Sequence, residues 1–241
     1  LAAAGAADEL LAGAVATARA AALQIAGATA VARTAHTQVA GGLAVAGELT
    51  GLQIAPINVA RRNAGVQIGV INVGGGPDGE SIGLLNIVPG GRTDLEAAID
   101  SHRVGTVLLR HGGRRWHNVY GVGGQVVDEV AGAANDDVWM YGLGFGPSFS
   151  IGGVAADLEA IAWHVHHGAH YSDRLSLLSQ LRLTVGVPVG RATLIAGGAV
   201  NAYISDDPTS PLAIARTTEP GAMSTDVTVR LWPSVFVGAR L

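Results

Sequence analysis

A histidine-rich segment holds the densest group of potential metal ligands in the sequence. It runs from Trp163 to His170, and alternation along a β-strand would put His164 and His166 on one face. His170 would return toward them from the following turn. Imidazole nitrogens in such an arrangement bind Zn, Cu or Ni. The sequence therefore makes His164, His166 and His170 candidate ligands of a divalent metal.

The surroundings of these histidines leave a second interpretation open. Asp157, Glu159 and Asp173 are near in sequence, but no carboxylate stands at a spacing typical of a zinc site. A strand end and loop that are rich in histidine without binding a metal would show the same pattern. A divalent metal at these histidines is the only cofactor that the sequence suggests.

Segments rich in glycine and serine do not match catalytic motifs. The glycine runs Gly74–Gly76 and Gly121–Gly124 lack the Lys-Ser/Thr that completes a phosphate-binding loop, and the chain contains no lysine. The segment Gly144–Ser148 lacks the flanks of a nucleophile elbow. No catalytic residue is identified, so the sequence predicts a protein that is not an enzyme.

The charge of the chain argues against a nucleic-acid partner. Its formal net charge is -4, and all 15 basic residues are arginines. The pairs Arg61-Arg62 and Arg114-Arg115 are too small to form a basic footprint on a polyanion. Charged residues make up only 14% of the chain, against roughly 25% in ordinary soluble domains. Such a composition is compatible with a surface that has little contact with bulk water.

Residues 1–92 are periodic. Six similar segments begin at Leu10, Gln24, Gln38, Gln53, Gln67 and Ser81, with spacings of 14, 14, 15, 14 and 14 residues. A fixed short period predicts a β-solenoid in which each unit buries its apolar face against its neighbours. Within a unit, amides alternate with aliphatic residues, and small residues such as those at Ala55-Pro56 would form corners. The amides expected to stack in ladders along the faces are Gln24, Gln38, Gln53, Gln67, Asn58, Asn72 and Asn86.

Two other structures fit parts of this region. Residues 1–35 are so rich in alanine that intrinsic propensity favours a helix. The later repeats would alternatively form hairpins joined at Arg61–Asn63 and at Gly74–Gly79, since the second segment has strong turn chemistry. Residues 93–103, which follow the pair Gly90-Gly91, are expected to be a helical turn or a link between the two halves.

Residues 104–241 predict long strands. All 11 aromatic residues lie in the second half of the chain, from Trp116 onward. Apolar and small or polar residues alternate over runs of about 12 to 16 residues, longer than the usual 5 or 6 of globular strands. Seven such strands can be counted after Val104, and an eighth would come from residues 98–103 or from the end of the repeats. This pattern predicts an antiparallel, up-and-down β-barrel of about eight strands.

A soluble β-sandwich with its apolar face inward would show the same alternation. The strand that begins at Val154 also departs from the pattern, because Asp157 and Glu159 share their parity with Ile161 and Trp163. A bulge or a change of register is therefore expected in that strand.

Two segments resemble known bacterial proteins. The segments Gly51–Asn58, Gly65–Asn72 and Ser81–Asn86 are similar to the G-x-Q-x-G-x-x-N repeats of poorly characterised bacterial surface-repeat proteins. The C-terminal segment resembles the last strand of outer-membrane barrels, in which alternate positions are apolar, as at Val235, Val237, Ala239 and Leu241. The terminal residue is leucine where that family usually has an aromatic residue. The resemblance implies a surface location, and it carries no activity over to this chain.

Together these features predict a non-enzymatic structural protein of the outer membrane or cell surface of a Gram-negative bacterium. Its barrel would anchor the repeat region, with membrane lipid and further copies of the chain as partners. An eight-stranded barrel is just wide enough for side chains to fill, which indicates an anchor and not a wide pore. The alternatives are a soluble secreted β protein that self-assembles through its repeats, and a carrier of a small molecule or metal.

Overall fold

The computed structural model describes residues 1–76, 78–125, 138–152, 154–167, 174–206, 212, 221–222 and 227–241. In this part of the chain every regular element is a β-strand, and the strands form two sheets. The repeat unit comprises Leu1–Thr93 with His111–Asn118, and the barrel unit comprises Asp94–Arg110 with Val119–Leu241. No helix in the described residues is long and apolar enough to cross a membrane. The all-β class predicted from the sequence is confirmed.

The repeat unit is a parallel β-solenoid. Its described strands are β1 (Ala2–Ala12), β2 (Val15–Ala26), β3 (Thr29–Ala40), β4 (Leu43–Ile54), β5 (Ile57–Asn63), β6 (Val66–Ile68), β7 (Ile71–Gly74), β8 (Glu80–Ile82) and β9 (Leu85–Ile87). Each strand pairs in parallel with the equivalent strand of the next coil, so that Ala2 lies beside Ala16 and Gln24 beside Gln38. The register between β3 and β4 shifts between Ala35 and Thr37, because the repeat from Gln38 to Gln53 is 15 residues long instead of 14.

Both alternatives for this region are wrong. Residues 1–35 form strands because stacking on the next coil pairs their backbone and buries alanines such as Ala16 and Ala30, and this outweighs a weak helix propensity. The later repeats are not hairpins, since β5, β7 and β9 pair in parallel.

The interior of the solenoid is the reverse of the expected one. Most of the larger aliphatic residues, such as Ile54 and Ile57, point outward, whereas the amides, the small alanines and Leu49 are buried. The expectation that each unit buries its apolar side is therefore wrong for most of the larger aliphatic residues, while the alanines supply a small apolar core. When an amide recurs in successive coils, its N–H group and its carbonyl oxygen can form hydrogen bonds with the amides of the neighbouring coils. A narrow interior can therefore hold polar side chains at little cost in folding free energy.

The barrel is antiparallel and closed. Its described strands are β10 (Arg92–Asp100), β11 (Val104–Gly112), β12 (Trp116–Gln125), β13 (Val138–Ile151), β14 (Val154–His167), β15 (Ser176–Val189), β16 (Ala192–Ser205) and β18 (Thr228–Arg240). The two-residue strand β17 (Gly221–Ala222) pairs with the start of β18. Pairing of β10 with β18, which puts Glu96 beside Arg240, completes the ring and leaves no free sheet edge between the eight strands described.

The segment 93–103 is not the predicted helical turn or link. Most of it belongs to β10, and only residues 101–103 connect this strand to β11. The segment is extended because its residues alternate, with Leu95 and Ile99 exposed and Glu96 buried, and because β18 offers it a backbone partner. The eighth strand of the barrel therefore begins before residue 98.

The irregularity expected in β14 is absent. Its register with β13 is continuous from Ile151–Val154 to Val138–His167, and its register with β15 is continuous as well. Asp157, Glu159, Ile161 and Trp163 all face the inside of the barrel. The strand needs no bulge, because one part of the lumen accommodates the two carboxylates and another part accommodates the apolar side chains.

The connections differ between the two ends of the barrel. At one end the strands are joined by residues 113–115, 152–153 and 190–191. At the other end the joining segments are 101–103, 126–137, 168–175 and 206–227, three of which are much longer. Short turns at one end and longer connections at the other are typical of outer-membrane barrels.

Candidate functional site

The outer face of the barrel is apolar. Leu181 is 53% exposed, Val200 59% and Val235 65%. In the part of the chain that the structure describes, the outward positions of β13 to β16 and of β18 carry no aspartate, glutamate, arginine or lysine. Soluble monomers rarely expose a continuous apolar patch larger than a few hundred Å². This surface is therefore suited to an apolar environment.

Charged side chains of β10, β11, β14, β15 and β18 point into the lumen, where they form an ionic layer. The members of this layer in the described residues are Glu96, Arg110, Asp157, Glu159, Arg182 and Arg240. They come from five strands and are buried. Three arginines face three carboxylates, so the described layer is electrically neutral. Neutrality is required because an unpaired charge in a closed interior would cost several kcal/mol.

Glu96 is the centre of the ionic layer. One of its carboxylate oxygens accepts a hydrogen bond from Nη2 of Arg182 at 2.7 Å, and the other accepts from Nη2 of Arg240 at 2.9 Å. Nη1 of Arg110 forms an ion pair with the same carboxylate at 2.9 Å. Three strands are thereby fastened to β10 by charged contacts.

Glu159 and Asp157 complete the layer. Arg110 donates to both carboxylate oxygens of Glu159 in the two-pronged geometry that suits guanidinium and carboxylate. Nη1 of Arg240 contacts Oδ2 of Asp157 at 2.8 Å, and Ser148 donates to the other oxygen of Asp157 at 2.8 Å. The network occupies the half of the lumen nearer the short turns.

An apolar layer fills the other half of the lumen. Trp163 is completely buried there, in one cluster with Met140, Tyr203 and Trp232. Gly121 lies against the Trp163 ring, since a Cβ atom at this glycine would come within 2.5 Å of Cη2. The glycine thus provides the space that a large ring needs inside a narrow barrel.

Two of the predicted histidine ligands, His164 and His166, lie on the outer face of the barrel. His164 pairs across the strands with Tyr141, and His166 pairs with Trp139. The His166 ring stacks on the Trp139 ring with centroids 4.0 Å apart, and the two histidine rings are 4.4 Å apart. The result is a cluster of rings at the end of β13 and β14 that adjoins the longer connections.

This arrangement does not assemble a metal centre from the described part of the chain. Among those residues, no group of three or more His, Cys, Asp or Glu side chains could hold a metal ion. Asp157 and Glu159 point into the lumen, on the opposite face of β14 from His164 and His166. His170 lies outside the described residues, so a metal site at His164, His166 and His170 stays a prediction.

The glutamines form a continuous ladder inside the repeat unit. Nε2 of Gln38 donates to Oε1 of Gln24 at 2.7 Å, Gln53 donates to Gln38 at 2.7 Å, and Gln67 donates to Gln53 at 2.8 Å. Ser81 extends the ladder with a 3.1 Å hydrogen bond to Gln67. Each described glutamine of the ladder is completely buried. The ladder therefore fixes the register between coils.

The asparagines form a second ladder. Nδ2 of Asn58 donates to Oδ1 of Asn72 at 2.8 Å, and Asn72 donates to Asn86 at 2.7 Å. Asn86 in turn donates to Asn118, whose amide nitrogen donates to the carbonyl of Gly83. Asn118 belongs to the segment His111–Asn118 of the repeat unit. This residue caps the ladder, a role that the sequence did not reveal because it lacks the 14-residue spacing.

Glu80, at the start of β8, is a titratable group of the repeat unit with a shifted pKa. Burial raises the pKa of the Glu80 carboxyl, and this outweighs the opposing effects of the Trp116 and Arg115 backbone N–H groups and of the Arg115 guanidinium. Ionisation of Glu80 therefore opposes folding. Its unfavourable contribution is absent below the ordinary pKa and grows as pH rises through the raised one.

We expect Glu80→Gln to raise the melting temperature of the repeat unit at pH 7. The increase should shrink as pH falls below about 4.5, where Glu80 is protonated in the unfolded chain as well. Thermal unfolding of the full chain by circular dichroism at pH 4 and pH 7 measures the effect. Glu9→Gln, at an exposed position of β1, is the matched control. An equal change at both pH values would show that Glu80 is not responsible.

Several residues of the lumen are not identified from the sequence. The sequence pattern assigns Glu96 to a link between the two halves, and it treats Asp157 and Glu159 as a disturbance of β14. For β10, β15 and β18 the available signal is parity, because Glu96, Arg182 and Arg240 occupy the positions opposite the exposed aliphatic ones.

Comparison with known proteins gave no relative: no family model, no curated protein and no solved structure matches this chain.

Proposed function

We propose that this chain is a non-enzymatic structural protein of the outer membrane or cell surface of a Gram-negative bacterium, in which the barrel anchors the repeat unit. The supporting observation is the distribution of charge over the barrel strands. Charged side chains are buried in the lumen, and the outward positions of β13 to β16 and of β18 carry no Asp, Glu, Arg or Lys and are mostly aliphatic or aromatic. A soluble barrel would place these two classes the other way round.

The height of the apolar surface agrees with a bilayer. The outward residues from Leu231 to Leu241 extend over ten residue steps, which is about 33 Å along the strand at ~3.3 Å per residue. With a strand tilt of about 40°, this corresponds to a band about 25 Å high, the height found in outer-membrane barrels. The outward rings of Trp139 and Tyr141 lie at one end of the band, where aromatic residues of membrane proteins meet the interface.

The lumen favours an anchor over a channel. The ionic layer around Glu96 and the apolar layer around Trp163 occupy successive levels of an eight-stranded ring. Barrels of this size are filled by their own side chains. Self-association through the repeat unit stays a prediction.

Extraction and gel migration test the proposal. Membranes of the source organism are washed with carbonate, and the chain is followed through fractionation with and without detergent. We expect it to stay in the outer-membrane fraction until detergent is added and to migrate differently before and after boiling, since a closed barrel resists denaturation in cold detergent. A protein that is recovered in the wash and stays dispersed without detergent would support the soluble, self-assembling alternative.

A further inference from the structure

One edge of the repeat unit is exposed and apolar. Each of the later coils has two bends, and the bend that follows β4, β6 or β8 carries Pro56, Val70 or Leu84. Val70 is 49% exposed and Leu84 60%. Ile57, Ile68 and Leu85 lie beside these bends and are also exposed. We call Pro56, Val70, Leu84, Ile57, Ile68 and Leu85 the apolar rim.

The other edge of the same coils is polar. The chain passes from β5 to β6 through Ala64 and Gly65, and Arg61 and Arg62 precede this bend with exposed side chains. Earlier coils place Arg19 and Arg33 at equivalent positions. The side-chain amide of Gln67 in β6 donates across the interior to the backbone carbonyl of Val73 in β7. The two strands of a coil therefore face each other, and the two bends form the opposite edges of the coil. The cross-section is therefore amphipathic.

We infer that the apolar rim inserts into the boundary between the headgroups and the acyl chains of a lipid bilayer, with lipid hydrocarbon as its partner. The inference rests on the proposed function, because a bilayer must be present for the rim to enter. Amphipathic helices that lie in this boundary bury an apolar face to a depth of about 5–10 Å and keep lysine and arginine on the polar face. The rim and the arginines of the opposite edge have this distribution.

The size and shape of the rim favour lipid over a second copy of the chain. Successive coils are about 4.8 Å apart, so three bends extend over only about 10–15 Å. The exposed aliphatic area amounts to a few hundred Å², less than the ~800 Å² per partner that a stable dimer buries. The rim is also convex, since it consists of bends. Fluid acyl chains can surround a convex edge, whereas a rigid partner needs a complementary groove.

Fluorescent labelling at single cysteines tests the inference, because the chain has no cysteine of its own. Val70→Cys reports on the rim, and Ala64→Cys is the matched control at the opposite bend of the same coil. Leu181→Cys reports on the outer face of the barrel. Each full-length variant carries the environment-sensitive dye NBD and is folded into vesicles of phosphatidylcholine and phosphatidylglycerol, with and without doxyl-labelled lipid.

We expect doxyl lipid to quench the dye of the Val70→Cys variant to at least about half the extent seen with Leu181→Cys, and to leave the dye of Ala64→Cys unquenched. Quenching in Leu181→Cys with equal, weak signals in the other two variants would overturn the inference and leave the proposed function intact. A Leu181→Cys dye that is not quenched would remove the proposed function, and the inference with it. A blue shift in Val70→Cys without quenching, which fades as the protein-to-lipid ratio falls, would identify a second copy as the occupant and overturn the inference.

Discussion

Replacing Leu183 by arginine is expected to destabilise the folded barrel by about 2–4 kcal/mol, because it places a charge on the outer face near the middle of the bilayer. Leu183 lies in the middle of β15 and is 45% exposed. Its outward position makes room for a larger side chain without a clash in the interior. The cost therefore comes from the surroundings of the barrel.

Val189→Arg is the matched control for Leu183→Arg. Val189 is on the same face of the same strand, at its end beside the turn to β16, where a charge can reach the interface. There we expect a cost of about 0–1 kcal/mol. Urea unfolding in vesicles, followed by tryptophan fluorescence, measures both variants. Costs below about 0.5 kcal/mol at both positions are typical of a surface in water and would contradict the membrane assignment.

Glu96→Gln is expected to destabilise the barrel by about 3–5 kcal/mol, the range found when one member of a buried ion pair is removed. The substitution keeps the size of the side chain but removes the charge that neutralises Arg110, Arg182 and Arg240. Three arginines would then face the two carboxylates of Asp157 and Glu159 in a closed lumen.

The double variant Glu96→Gln, Arg240→Gln separates charge balance from shape. It removes one charge of each sign, so we expect it to lose less stability than the two single variants together. Unfolding measured through the tryptophans of the barrel unit, among them Trp163 and Trp232, gives the coupling between the two sites. Additive losses, or a Glu96→Gln variant as stable as the parent, would show that the ionic layer does not fasten the strands.

The period-two pattern predicted most strands of the barrel and their two faces, but it missed β10 and wrongly indicated an irregularity in β14. Leu181, Leu183 and Val185 alternate with Arg182 and Thr184, and the structure separates these two sets as the alternation requires. The ionic layer was not predictable in the same way. Glu96 and Arg240 are 144 residues apart, and they meet only because the barrel closes with a particular register between β10 and β18.

The repeat period predicted the solenoid and the amides that stack, but not which side of each coil is buried. Hydrophobicity favoured the aliphatic side, as in most soluble folds. The interior accepts Gln53 and Asn58 because each amide finds a partner one coil away. Burial of amides leaves Ile57 and Val70 outside, and this exposure supports the inference about lipid at the rim.

The measurement that tests the account most directly is a spin-label scan of β15 in lipid vesicles. Single nitroxides are attached at successive positions from Leu181 to Val187, and the collision rates with oxygen and with a water-soluble nickel chelate are compared. We predict high oxygen and low nickel accessibility at Leu181, Leu183, Val185 and Val187, and low accessibility to both at the alternate positions. High nickel accessibility at the outward positions, or protection from both reagents there, would show that water or protein and not hydrocarbon covers this face.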